Sequence, residues 1–385
     1  MAQYAVGIRS LAVSLPSIRR TNDYYREKYP ELVAQAEQKS LGRWFSLDSS
    51  TPTNEFDLEM MPYLSDPFRG TIQRWVLSPN ESPLILQCRA VKDTLAAAKL
   101  SLEDVDLMLV ASVWPKQIGF GDAAFLAREL GLHGAAWNID ASCGSTLIAL
   151  ETAYALVSAQ QYHNVLVVIS CSYSHFVPED DTASWFLSDG AGAFLVNKLE
   201  LSQGILGIKT IHAGALCDLV YPAIAKDIQG NLQVRMQVSK DANRLTRETA
   251  VGFLCTCCEG AINAAGVTLE QIDFFIFNTP TAWFARFCTR VLGIDPERTI
   301  DLYPQYANIG PVLTVVNMYH AAQLGKISEN DLVLIYGFGA AGAASASVMR
   351  WGKVALGSAP IYQIESDLGF KRQEIGGRRQ EEPMF

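Results

Sequence analysis

Along the chain, short unbroken apolar runs alternate with longer stretches of helical period, and the runs fall into two sets. Residues 5–15 read as a strand stopped by Pro16, followed by a loop over 17–22 that carries Arg19 and Arg20 and a helix over 24–39. An amphipathic helix is predicted over 84–98, a buried strand over 105–113 ending at Trp114-Pro115, and a further helix over 122–132. A continuous apolar strand follows over 164–170. Asp189-Gly190-Ala191-Gly192-Ala193 then leads into a strand over 194–197, where small residues suit close backbone approach. Another strand over 206–212 and a long helix over 241–265 follow. Residues 42–83 break the alternation, being rich in Pro, Ser, Asp and aromatics. A segment of this length without regular pattern implies a functional cover or an insertion. Its apolar anchors are Trp44, Phe45, Tyr63, Phe68 and Trp75.

From Asp273 the pattern repeats. Residues 273–277 match 106–110, each after a Val/Leu-x-x-x-Asp approach. Asn138-Ile139-Asp140-Ala141-Ser142-Cys143-Gly144-Ser145 opens an apolar helix whose one charge is Glu151, and Ala307-Asn308-Ile309-Gly310 opens an uncharged helix running to about Leu324. Each leads to a Val/Leu/Ile strand and then a glycine-rich turn, the second being Gly337-Phe338-Gly339-Ala340-Ala341-Gly342 before a strand over 343–349. Helices apolar on every side must be buried on every side, so the pattern predicts two equivalent helices between two sheets, with Cys143 near Asn308. The expected boundaries are an N-terminal half over 1–200 containing the 42–83 insertion, a C-terminal half over 201–356, and a polar, partly disordered tail over 357–385.

Composition narrows the field. The 385 residues are 49% hydrophobic and 18% charged, which predicts a large buried core. No apolar run reaches the ~18–20 residues of a spanning helix, and no secretory signal precedes the first strand. A net charge of −9 argues against nucleic acid as a partner. Eight cysteines at irregular spacing imply reduced thiols in the cytoplasm. Cys255, Cys257 and Cys258 sit inside a helical pattern without a second ligand pair, so they read as core rather than as a metal site.

The candidate chemistry lies at Cys143. A thiol at a helix mouth tends toward thiolate because the helix N-terminus stabilises anions, which makes it a candidate nucleophile; a structural core cysteine is the competing reading. With the Asp189-Gly190-Ala191-Gly192-Ala193, Asn308 and Gly337-Phe338-Gly339 motifs, the chain resembles the thiolase superfamily, nearest its β-ketoacyl-acyl-carrier-protein synthase III branch and acyltransferase relatives, over residues 5–35 and 84–352. The resemblance implies a five-layered αβαβα sandwich, a homodimer, and acylation of Cys143 by a coenzyme A or carrier-protein (phosphopantetheine) thioester, with no other cofactor and no metal. It also implies Asn308 as an amide partner and the backbone N–H groups of Cys143 and Ala340 as oxyanion donors. At the place of the family's histidine this chain has Asn278, which donates a hydrogen bond but accepts no proton at neutral pH. His320 lies about 18 Å along its helix from Asn308 and faces elsewhere. His133 and His163 read as surface residues, and His175 and His212 as hydrogen-bonded strand ends.

Two function classes remain: an acyltransferase or ketosynthase serving fatty-acid or polyketide-type synthesis, and a catalytically degenerate partner subunit that binds an acyl carrier protein or shapes a tunnel. An α/β-hydrolase or cysteine protease is disfavoured, since there is no Gly-x-Ser-x-Gly elbow. Arg19, Arg20, Arg69 and Arg74 are candidate receivers of coenzyme A or carrier-arm phosphates. Phe120, in the loop with Gln117-Ile118-Gly119, is expected to reach toward a dimer partner's tunnel.

Overall fold

The computed structural model describes residues 4–47, 54–115, 119–217, 219–226, 230, 232–340 and 342–360. The tail beyond 360, the side chains of Trp44 and Phe45, and Gln117 and Ile118 lie outside the described residues.

Two sheets face each other. The first has the spatial order Ala355–Leu356, Ala5–Ser14, Asp189–Leu199, Val165–Ser172, Leu107–Val113, Ala135–Asn138. The second runs Gly204–His212, Ala343–Arg350, Leu332–Phe338, Phe274–Phe277. From the Ala5–Ser14 strand onward the first sheet pairs antiparallel, antiparallel, parallel, parallel. The second pairs antiparallel, antiparallel, parallel, and ends on a parallel bridge between Phe275 and Thr299. The two halves therefore share one topology.

Local devices repeat as well. A capping box at Ser101–Asp104 precedes the Leu107 strand, and one at Thr268–Gln271 precedes the Phe274 strand. Asp106 accepts from His163 N–H and Asn164 N–H, while Asp273 accepts from Leu332 N–H, so each aspartate ties its strand to the start of the neighbouring one.

Between the sheets lie the helices Ser145–Ser158 and Val312–Gln323, touching strands of both. Every residue from Val312 to Ala321 is buried. Each buried Val, Leu or Met of that run contributes roughly 1.5–3 kcal/mol by leaving water. Helix Pro83–Ala98 covers the outer face of the first sheet, and helix Ala242–Ala265 that of the second. The chain is a five-layered αβαβα sandwich of two repeated halves. Cys257 and Cys258 are buried in the core of the second half.

Two local readings change, and one element is added. Residues 18–21 form a strand rather than a loop, because they pair antiparallel with Gln73–Val76. The helix expected over 24–39 is two helices, Asn22–Lys28 and Pro30–Leu47, since Pro30 lacks the N–H to continue the first. The strands Val220–Lys226 and Leu232–Val238 pair as a separate two-stranded ribbon.

Candidate active site

Cys143 sits in a single 3-10 turn, Ser142–Gly144, between the strand Ala135–Asn138 and the central helix Ser145–Ser158. The residue before it, Ser142, is held at φ +54°, a left-handed conformation that turns the cysteine sharply off the incoming chain. Neighbouring polar groups fix this shape. Ser142 N–H donates to Asp140 Oδ1 at 2.8 Å, Ala141 N–H donates to Ser145 Oγ at 2.8 Å, and that hydroxyl donates to Ser142 O at 2.6 Å. The Cys143 N–H belongs to the first turn, where no intrahelical acceptor exists.

The turn Gly339–Gly342 closes one side. Gly342 N–H donates to Gly339 O at 3.2 Å and Gly339 N–H to Ala343 O at 3.0 Å, which leaves the Ala340 N–H outside the turn's own bonding. Backbone meets backbone here. A Cβ on Gly339 or Gly342 would overlap the Ala141 carbonyl oxygen, and one on Gly144 would stand 2.6 Å from Ala343 O.

The loop before the second central helix closes the other side. Ala307 adopts φ 51°, ψ −163°, a region that only glycine occupies without strain. Asn308 N–H donates to Phe186 O at 2.9 Å, and Ser188 N–H donates to Asn308 O at 3.0 Å. Its side-chain Oδ1 accepts from Gly310 N–H at 2.7 Å. Its Nδ2 finds no acceptor among the described residues, and the residue lines a cavity of 490 Å³ shared with Leu187, Trp185, Thr281 and Trp283. Both halves thus place a strained residue directly before a polar side chain.

Asn278 joins the two loops. Its Nδ2 donates to Cys143 O at 3.2 Å and to Gly310 O at 3.1 Å, and the residue is 2% exposed. Both amide hydrogens are consumed, and Oδ1 is buried without a partner. Both hydrogens go to backbone carbonyls of the protein itself, so Asn278 clamps the nucleophile turn to the Asn308 loop.

The protonation of Cys143 also differs from the expectation. Burial pushes its thiol up to about 11, against the lowering by hydrogen bonds with Ser142 and Tyr173, while the Asp140 carboxylate adds to the rise. The residue keeps some exposed surface, but loss of hydration at the sulfur outweighs those hydrogen bonds. At neutral pH the resting form is the thiol.

The family description "3-Oxoacyl-[acyl-carrier-protein (ACP)] synthase III" matches residues 137–214, and its C-terminal counterpart matches 262–351. Beta-ketoacyl-[acyl-carrier-protein] synthase III of Gloeobacter violaceus is 29% identical over 74% of this chain and 88% of its own length. The chain resembles the synthase III branch of the thiolase superfamily along most of its length. Its class is that of acyl-transferring enzymes. The solved synthase III of Thermus thermophilus superposes with a TM-score of 0.72 at 26% identity, covering 90% of this chain and 99% of that one. OleA of Xanthomonas campestris, at 19% identity and a TM-score of 0.70 over 91% and 98% of the two chains, shares the fold.

Against this family frame, the sequence-predicted residues divide. Cys143, Asn278 and the Asn308 loop come together, and the turn holding Ala340 packs on the nucleophile turn. Arg74 does not join them. It is 0% exposed, donates through Nε and Nη2 to Trp185 O and through Nη1 to Asn22 Oδ1, and burial lowers it to about 10. The phosphate role is corrected, because the guanidinium is sealed inside. Arg20 pairs with Glu179 at 2.8 Å and lines a second 490 Å³ cavity beside Tyr173, His175 and Asp189. Arg69 lines the Asn308 cavity, and Arg19 is exposed. Phe120 is 81% exposed, its carbonyl held by Asn138 Nδ2. Of the insertion's aromatics, Phe68 meets Trp185 at a tilt with ring centroids 4.8 Å apart, Trp75 donates to Gln305 O, and Tyr63 packs on Trp283.

No histidine contacts Cys143. His133, His163, His175 and His212 are exposed. His320 is buried against Tyr306 Oη at 2.7 Å and Gln323 at 3.0 Å, and burial lowers it to about 4. Sequence reasoning missed Tyr173 and Cys171, whose side chains touch the sulfur's surroundings. The available signal was topological: the parallel strands Leu107–Val113 and Val165–Ser172 end at the same edge as the Cys143 turn.

Proposed function

We propose that Cys143 takes an acyl group from a coenzyme A or carrier-protein thioester and passes it to a carrier-bound acceptor in fatty-acid or polyketide-type biosynthesis. The observation that carries this reading is the wedge of backbone at Cys143, where the Gly339–Gly342 turn lies against the N–H groups of Cys143 and Gly144. Fixed N–H groups of Cys143 and Ala340 would stabilise the oxygen of the tetrahedral intermediate without reorganising. In each half-reaction the attacking sulfur forms a bond to the carbonyl carbon, the leaving thiolate departs, and a proton returns to it from solvent. Asn308, whose Nδ2 is uncommitted, is the amide donor of the site. Arg20 and Arg69, at the two cavities, are the candidate phosphate contacts, with the exposed Arg19 as a third. The part of the segment 42–83 that packs on Trp185 and Trp283, through Phe68 and Tyr63, is read as the cover of the entrance. A homodimer in which Phe120 meets the partner, and residence in the cytoplasm, complete the reading; the eight free thiols support the latter.

Thioester transfer is favoured over decarboxylative condensation because Asn278 has no hydrogen left to give an enolate. The test is to incubate the protein with a panel of acyl-coenzyme A and acyl-carrier donors, with and without malonyl carrier, and map adducts by mass. An acyl adduct on Cys143 that moves to a carrier thiol is expected. Efficient carbon–carbon bond formation would overturn the preference for transfer. Absence of any adduct, with alkylation of Cys143 also failing, would leave the non-catalytic partner subunit.

A further inference from the structure

The two 490 Å³ cavities have walls of opposite sign. Three carboxylates, Glu81, Glu179 and Asp189, line the one beside Tyr173, against Arg20 and His175. Lys39 and Arg69 line the one beside Asn308, and none of its described lining residues is acidic. The carboxylates of the first cavity already have partners. Glu179 pairs with Arg20 and Lys28, Glu81 with Arg89 and the Ser17 N–H, and Asp189 accepts from the N–H groups of Leu77 and Ser174. The donors of the second cavity do not.

The indoles of Trp185 and Trp283, residues 0% and 7% exposed, line it, and neither Nε1–H meets an acceptor among the described residues. The buried Thr281 hydroxyl and the Asn308 Nδ2 are in the same state. An indole nitrogen only donates, so a lone pair cannot satisfy it. These groups come from three separate segments, the turn Thr182–Trp185, the loop after the strand Phe274–Phe277 and the loop before the second central helix. They are also held still. Arg74 fixes the Trp185 carbonyl, and the rings of Phe56 and Tyr63 pack on Trp283 at 6.1 and 5.8 Å. Buried donors without acceptors are rare in folded proteins, and several converging on one cavity call for a ligand rich in oxygen. The cavity adjoins the nucleophile turn, because Asn308 stands two residues before Gly310, whose carbonyl shares the Asn278 amide with that of Cys143.

We infer that the Asn308 cavity is a subsite for the far carboxylate of a dicarboxylic half-thioester, an acyl donor whose chain ends in a second, anionic carboxyl group. The inference rests on the reading of Cys143 as the acylated nucleophile and names the acyl class it takes. Arg69 and Lys39 supply the charge, the indoles and Thr281 supply hydrogen bonds, and Leu187 and Phe186 leave an apolar wall for the methylenes. A hydrocarbon chain in the same place leaves the donors unpaired, and a site built to pair a polar group rejects the analogue that lacks it. In the transfer the donor's carbon–sulfur bond breaks and Cys143 Sγ bonds the carbonyl carbon. The thiol proton passes to water, the released thiolate takes one from water, and the far carboxylate is unchanged. The phosphate of a carrier arm offers the same oxyanion chemistry, so the test leaves it out.

The test is the rate of Cys143 acylation, read by intact mass, with N-acetylcysteamine thioesters, which carry no phosphate. Succinyl, glutaryl and adipoyl donors are each compared with the acyl group in which isopropyl replaces the carboxylate. A hydrogen bond to a charged group corresponds to about a tenfold effect, so the best dicarboxylic donor should exceed its counterpart at least about tenfold. Trp283→Phe, which keeps the ring and drops the N–H, and Arg69→Gln should each cut that ratio about tenfold. Equal rates within every pair in the native protein would overturn the inference without any variant having to fold, as would a ratio untouched in both folded variants. A gain on adding the phosphopantetheine phosphate, with no preference between acyl groups, would assign the cavity to the arm and overturn it as well. Should no thioester acylate Cys143, the acyl-transfer reading fails, and calorimetry with the unreactive amide analogues reads the subsite alone. Tighter binding of the carboxylated amides would then support it, and equal binding would overturn it.

Discussion

Replacing Asn278 with alanine removes one amide and takes a donor from two carbonyls. Its Nδ2 donates to Cys143 O at 3.2 Å and Gly310 O at 3.1 Å in a site 2% exposed, so water does not take its place. Gly310 O keeps a long bond from Leu313 N–H at 3.4 Å. The acceptor left without its donor costs about 1–3 kcal/mol and the weakened one about 1 kcal/mol, which gives about 2–4 kcal/mol for the pair. The native Oδ1 is itself buried and unpartnered, and its removal returns about 1–3 kcal/mol. The net loss is about 1 kcal/mol, an appreciable part of the ~5–15 kcal/mol typical of a folded protein. Urea unfolding reads this directly. Asn278→Asp should be worse, since it presents a carboxylate to two carbonyl oxygens. Asn278→His should fall between native and alanine, because neither imidazole nitrogen donates to two acceptors as a primary amide does. Alkylation of Cys143 should change in parallel, since the clamp fixes the nucleophile turn. An alanine variant that unfolds at the native urea midpoint and alkylates at the native rate would refute the clamp.

Gly339→Ala drives a methyl into the Ala141 carbonyl and displaces the nucleophile turn; Cys143 acylation should drop about 100-fold, the usual consequence of an ~1 Å misplacement, while far-UV dichroism stays native. Asp301 is raised to about 7 by burial, against the opposing Tyr303 N–H, Thr279 hydroxyl and Arg286. A raised folded pKa contributes stability that is whole below about 4 and fades as pH climbs through 7, so Asp301→Asn should gain on the native protein in urea as pH rises from 5 to 8. A constant gap would refute it. Arg74→Met should lower stability by about 2–4 kcal/mol through the abandoned Trp185 carbonyl, with KM for the thioester donor unchanged; a raised KM would restore the phosphate role. Ala307→Gly should raise the thermal midpoint by relieving about 1 kcal/mol of backbone strain, and a lowered midpoint would count against that conformation.

The layered fold was readable because burial on all sides leaves a plain mark. The helices opened by Ser145 and Val312 carry almost no charge, and the strands at Val165 and Leu332 are continuous apolar runs that only a doubly covered sheet accommodates. The repeated aspartates 106 and 273 marked the duplication. Pairings between distant segments left no such mark. Nothing within residues 18–21 announces their partner at Gln73–Val76, and Pro222 inside the Val220–Lys226 strand argues locally against any strand at all. Arg74 followed the usual expectation for a charged residue, which its inward register overrides. The site was half legible. Cys143 and Asn308 stand at equivalent helix starts, but the acceptors of the Asn278 amide and the hydroxyl of Tyr173 depend on how three separate loops converge.

The interlocking of the two central helices has a consequence for synthesis on the ribosome. When the first half has left the exit tunnel, its helix Ser145–Ser158 can lie on its own sheet, but the strands Leu332–Phe338 and Ala343–Arg350 that cover its other side do not yet exist. Leu147, Leu150 and Val157, all buried in the finished protein, stand next to that missing layer until nearly the whole chain has emerged. The nascent protein is therefore exposed to aggregation and chaperone capture through most of its translation, and it closes only when the last strands arrive.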